Sequence, residues 1–186
     1  MKRPSITLFT LITTILFFSC GKDDIPVTDS QKILFECYYI NYAWGYNHHG
    51  FFIDNDGKIM NYSQHGNYSD ENWNFPDNEG NISKQDLTEN LQKTSINETS
   101  IDKSTLKIYS DKISLVKNDD YTEYHAMCDA GANVCVCYLY NENTGMYKQL
   151  ILSQEGDWVI INNNEYAKQI SDWLKSINLK ITSNEN

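Results

Sequence analysis

Residues 134–153 read VCVCYLYNENTGMYKQLILS, and the fold is decided here. Residues 134–140 and 146–153 are runs of β-branched, aromatic and other apolar side chains without a helical period, so each reads as a strand. The five residues between them, from Asn141 to Gly145, are loop formers. Strands joined this closely pair antiparallel, because a parallel return needs a crossover of about a dozen residues or more.

Outward from this hairpin toward the C-terminus, Glu155-Gly156-Asp157 forms a further turn and residues 158–161 a short strand. Asn163 or Asn164 then caps a helix in which Tyr166, Ile170, Trp173, Leu174 and Ile177 make one apolar stripe. A polar tail at 179–186 follows. In the other direction, 129–133 is a turn and 121–126 a short strand. Residues 104–117 form an amphipathic helix through Leu106, Tyr109, Ile113 and Val116. Ser83 and Asp86 approximate a capping box for a shorter helix ending near residue 94.

The N-terminal third repeats the hairpin logic. Residues 32–42 (KILFECYYINY) read as a well-buried strand, and residues 43–50 (AWGYNHHG), with two glycines and adjacent histidines, as a loop. Phe51-Phe52-Ile53 and residues 58–62 flank Asp54-Asn55-Asp56-Gly57, a hairpin turn whose glycine accepts positive φ. The turn does not fit a calcium loop, because Phe52 and Ser63 stand where oxygen ligands are needed. Residues 63–81 carry no periodicity and read as one long loop. The element order predicts an α+β fold: an antiparallel sheet built from hairpins, with about three helices packed on one face. Residues 32–178 suffice for a single globular domain.

Composition narrows the function. The formal net charge is -10, so phosphate backbones are repelled and no nucleic-acid partner is expected. There is no P-loop, dinucleotide fingerprint, G-x-S-x-G or H-E-x-x-H, so no cofactor, metal or catalytic residue is assigned. Cys37, Cys128, Cys135 and Cys137 are disulfide candidates. Cys135 and Cys137 share one face of a strand at about 6.7 Å, near the limit for a bridge, so each is expected to take a partner from Cys37 and Cys128. A rival set, His125, Cys128, Cys135 and Cys137, has zinc-compatible ligand types, and Cys128 with His125 or His48 has the makings of a nucleophile and base. Glu36, on the buried strand, is either an acid of raised pKa or a satisfied structural carboxylate. His48, His49 and His65 are read as loop histidines. Tyr68, Trp73 and Phe75, set among amides in the 63–81 loop, make the candidate binding surface for a glycan or a protein.

The first residues carry a different message. Lys2 and Arg3 precede a thirteen-residue apolar run, 6–18, whose polar members are only threonines. It is too short for a span and right for a signal peptide. The run ends Leu16-Phe17-Phe18-Ser19-Cys20-Gly21, which resembles the lipobox of bacterial lipoproteins, with Phe17 where leucine is usual. The resemblance implies removal of 1–19, lipidation of Cys20 and attachment to the membrane. Stable anchoring needs more than one acyl chain, since each buried methylene contributes about 0.8 kcal/mol. Lys22-Asp23-Asp24 resembles the surface-export signal of one group of Gram-negative lipoproteins, which implies the outer face of the outer membrane rather than the periplasmic one. Residues 20–31 then read as the lipidated cysteine and a flexible tether. Trp44-Gly45-Tyr46 ahead of Phe52-Ile53-Asp54 is similar to a pattern in small exported lipoproteins, which implies no activity. The expected function is a non-catalytic, surface-displayed binding module. An acidic inhibitor or immunity-type protein is the alternative, and a hydrolase a third reading.

Overall fold

The computed structural model describes residues 27, 30–66 and 73–184, the last three by backbone alone. The signal segment, Cys20, Lys22-Asp23-Asp24 and Tyr68 lie outside the described residues. In chain order the elements are β1 (Ile33–Asn41), β2 (Tyr46–Asp54), β3 (Lys58–Gly66), β4 (Asn81–Ser83), α1 (Lys84–Leu91), β5 (Ser95–Ser100) and α2 (Lys103–Ser110). A 3-10 turn (Ile113–Leu115), β6 (Tyr121–His125), β7 (Ala132–Asn141), β8 (Met146–Gly156), β9 (Trp158–Asn162) and α3 (Glu165–Asn184) complete them. All strands join one antiparallel sheet in the order β5-β3-β2-β1-β7-β8-β9-β6, with β4 beside the start of β8. The α+β class and the hairpin construction are as the sequence predicts.

Alternation along the central strands divides the core in two. On one face Phe35, Cys37, Phe51, Ile53, Cys135, Cys137, Leu150 and Leu152 meet α2, the 3-10 turn and α3. On the other, Ile33, Phe52, Tyr62, Val134, Val136, Tyr138 and Tyr147 meet Trp73, Ile82 and Leu87. The helices therefore do not share one face: α2 and α3 lie on the first and α1 on the second. The physical reason is visible in β7, where both alternating sets are apolar, so both faces need cover.

α3 is fixed at several points. Asn164 Oδ1 accepts from Tyr166 N and Ala167 N, both at 3.1 Å, the expected cap. Trp173 meets Phe35 edge-on at 5.2 Å and stacks on Tyr109 of α2 at 4.1 Å. Ser171 and Ser153 of β8 share a buried 2.7 Å hydrogen bond.

Several boundaries differ from expectation. Tyr46 to Gly50, read as loop, belongs to β2, because the turn at 42–45 is tight and Asn47 already pairs with Asn41. β3 absorbs residues 63–66, and β4 the end of the long loop. The expected 104–117 helix stops at Ser110; Ile113 and Val116 reach the same core from the 3-10 turn, which explains their helix-like spacing. Ser95–Ser100 is a strand by pairing with β3 and not by pattern. α3 runs on to Asn184 through the expected tail, with Ile181 buried. Gln31, read as the last tether residue, is fully buried: Nε2 donates to Ile33 O and Tyr138 O, and Oε1 accepts from Tyr140 N.

Candidate functional site

A large concavity lies on the face that carries α2 and α3, between the last turns of α3 and strands β1, β2, β3, β5, β7 and β8. It has two lobes, of about 580 and 450 Å³, that share His49, Gly50 and Asn178. Each falls in the usual range for ligand pockets. The larger is walled by Asn61, Ser63 and Ser95 with Phe51 and Ile181; the smaller by Tyr39, Asn133, Cys135, Ser153 and Leu179.

The disulfide sits in the floor. Cys37 and Cys135 are directly opposed across β1 and β7, with Cα atoms 4.2 Å apart, and are bonded to each other. This is one of the expected pairings. The second bridge is absent: Cys137 is buried among the core side chains of the same face, and Cys128 is exposed after β6 at the far edge of the sheet. With Cys135 bridged, the four residues of the zinc reading do not form a ligand set. Among the described residues no three His, Cys, Asp or Glu side chains converge to hold a metal. His125 Nε2 lies 3.8 Å from Cys128 Sγ, on the surface, while His48 is remote from both in the sheet.

The charged side chains that line the groove are Lys93, Glu155 and Lys175. Lys175 Nζ pairs with Glu155 at 2.6 Å. Lys93 contributes to the wall, yet its ammonium stands 5.8 Å from the ring centre of Trp73, which belongs to the opposite cluster. His49 has its pKa lowered by burial and then by the neighbouring His65, so its imidazole is neutral at physiological pH. Its Nδ1 and Asn47 Oδ1 are 2.9 Å apart, and Tyr39 lies against its ring at 5.2 Å. Asn61 Oδ1 is shut from solvent without a hydrogen-bond partner.

The opposite face holds a second polar cluster, closed rather than open. Glu36 accepts from Tyr62 Oη at 2.6 Å on one oxygen and from Tyr138 Oη at 2.5 Å on the other. Gln149 Nε2 donates to Tyr138 Oη at 3.2 Å. His48 stands 3.4 Å from Tyr62 Oη through Nε2 and 3.2 Å from Tyr46 Oη through Nδ1. Burial pushes the Glu36 carboxyl up to about 7, against the pull of the two tyrosine hydroxyls, and pushes His48 down to about 4, helped by His49. Burial and then the charge of Glu36 raise both tyrosines well above their usual range. Glu36 thus satisfies both sequence readings: a raised-pKa acid and a satisfied buried carboxylate.

Trp73 and Phe75 belong to this closed cluster. Trp73 is buried, 4.5 Å from Tyr62 and 5.1 Å from His48 by ring centres, and Phe75 lies 5.4 Å from His48. The segment is pinned by Asn74 N donating to Asn90 Oδ1 and Asn90 Nδ2 donating to Asn74 O. Trp73 is therefore a core residue, which corrects its place on a binding surface; Phe75 keeps its outer edge exposed. The cavity left under them is about 10 Å³, room for about one water. Of the three sequence-selected histidines the structure separates His48, which faces inward here, from His49 and His65, which sit together on the groove side. Sequence reasoning missed the groove because its walls come from seven elements; the alternation His48 in, His49 out is the signal that a strand reading of 46–50 would have supplied.

Family models, curated proteins and solved structures offer no match to this chain.

Proposed function

We propose that the protein is a lipid-anchored module of the bacterial outer membrane, displayed on the cell surface, that binds an extracellular ligand in the groove beside α3. The observation that carries the reading is the groove itself, an open two-lobed concavity of ligand size on a rigid sheet, beside a polar cluster that is sealed. The lipobox-like segment at Cys20 and Lys22-Asp23-Asp24 support the address.

The place where the chain joins the domain agrees with display. Val27 packs beside Leu34 of β1, Asn55 of the β2–β3 turn and Leu106 of α2. Between His49 in the groove and Asn55 lie six steps of extended chain, about 20 Å. The groove thus lies about 20 Å along β2 from the end of the sheet where Val27 packs. From Cys20 to Val27 the chain spans at most about 23 to 25 Å.

Metabolic labelling with palmitate and protease shaving of intact cells test the address. Label lost in Cys20→Ser and a shaved domain are expected; an unlabelled protein, or one fully protected in intact cells, contradicts it. Asn178→Trp, at the junction of the two lobes on the exposed side of α3, tests the groove and is expected to abolish binding with the fold intact.

A further inference from the structure

We infer that the ligand of the groove is an uncharged oligosaccharide; this rests on the groove being the binding surface. The first ground is charge. The chain carries a net -10, yet charge in the groove is sparse: Lys175 is held by Glu155, burial lowers the pKa of His49, and Lys93, its ammonium 5.8 Å from the ring of Trp73, stands as a cation in the wall. A polyanion meets Lys93 in the wall but is repelled by the net charge of the chain, and a polycation meets Glu155 already held by Lys175.

The second ground is the kind of group that lines the groove, although Ser63, Ser95 and Ser153 each also engage a protein partner, His65, Asn61 O and Ser171. Asn61, Ser63, Ser95, Asn133, Ser153 and Asn178 are amides and hydroxyls, each able both to donate and to accept. Sugar hydroxyls have the same dual capacity. Tyr39 with His49 and the exposed Leu179 supply apolar surface of the sort that covers a sugar's C–H face.

The third ground is topology. An extended peptide is commonly held by adding a strand to a free sheet edge. The groove floor is β1, β2 and β7, whose neighbours on both sides are already paired; of the outer strands, β5 borders the larger lobe through Ser95, while β4 and β6 lie elsewhere in the sheet. Strand addition is closed to a peptide in the floor.

The test uses the full processed protein in detergent against soluble cello-, xylo-, manno- and chito-oligosaccharides, with heparin, polygalacturonate and polylysine as charged probes. At least one neutral oligosaccharide is expected to bind, with an affinity that changes by less than about twofold between low and high salt. Binding is expected to fall at least about tenfold in Asn178→Trp and in Ser63→Trp, with melting temperature retained. Binding to no neutral sugar, or to charged probes alone with steep salt dependence, overturns the inference and leaves the groove standing if Asn178→Trp still blocks capture of another partner. A neutral sugar bound equally well by both tryptophan variants overturns the groove as well.

Discussion

Glu36 and His48 are titratable groups shifted in opposite directions by the same dry surroundings. Glu36 rises from 4.5 to about 7, so the stability it contributes is present below 4.5 and is lost as pH rises through 7. His48 falls from 6.5 to about 4, so its contribution is present above 6.5 and is lost as pH falls through 4. Each shift is worth about 3 kcal/mol, and over the shared window the slopes oppose each other. The folded protein in effect holds the proton on the carboxyl that the unfolded chain holds on the imidazole. Glu36→Gln is therefore expected to gain about 3 kcal/mol relative to the wild type as pH rises from about 4.5 to 7, and His48→Gln to lose a similar amount from about 4 to 6.5. Urea unfolding of the three proteins at several pH values measures this; parallel curves would sink the opposed-titration account. The sequence offered Glu36 as a carboxylate on a buried strand and no more, because its partners Tyr62 and Tyr138 lie on other strands. Cys128 and Cys137 differ equally plainly: in the native processed protein iodoacetamide is expected to label Cys128 alone, and Cys137 only after denaturation. Rapid native labelling of Cys137 would contradict its burial.

Strand β2 shows how one element serves both faces. His48 and Phe52 point to the closed cluster, and His49, Phe51 and Ile53 to the face that carries α2 and α3, where the backbone of Gly50 also lines the groove. Gly50 is required by closeness rather than by turning: a Cβ there would stand 2.3 Å from Cys37 O and 2.7 Å from Tyr38 Cα. Gly50→Ala is expected to cost about 2 to 3 kcal/mol in chemical unfolding, and a wild-type midpoint would show that the strands are less tightly set than described. The bridge between β1 and β7 closes a separation of 98 residues, so its removal in Cys37→Ala with Cys135→Ala is expected to destabilise by about 2 to 5 kcal/mol. Loss of less than half a kilocalorie would argue that these thiols are not bonded. Elements with dense apolar runs, β1, β7, β8 and the stripe of α3, were readable from sequence. β5 was not, because SINETS has no apolar alternation and is a strand only by virtue of β3 beside it. The loop reading of 43–50 failed for a related reason: Gly45 does serve a turn, with φ of 101°, but Gly50 is there for packing.

At the scale of the molecule the sheet separates two kinds of polar site. One face buries Glu36, His48 and their tyrosines under Trp73 and α1; the other leaves amides and hydroxyls in an open groove under the end of α3. The long loop's aromatic residues looked like a ligand surface because composition cannot distinguish a ring that covers the core from one that covers a ligand. The groove was illegible for the opposite reason: its residues are common polar ones, brought together from 39 to 179 only by the fold. Among the described residues no helix is long and apolar enough to cross a membrane. We propose attachment through Cys20 and binding in the groove beside α3. The central claim is that the groove meets an extracellular ligand, and it is measured most directly by placing a photoreactive benzoylphenylalanine at Asn178 or, as a remote control, at exposed Lys168, and irradiating intact cells in their native medium. A crosslinked adduct at Asn178, absent at Lys168 and outcompeted by soluble neutral oligosaccharide, is the result the proposal predicts. No adduct at Asn178, or equal adducts at both positions, would contradict it.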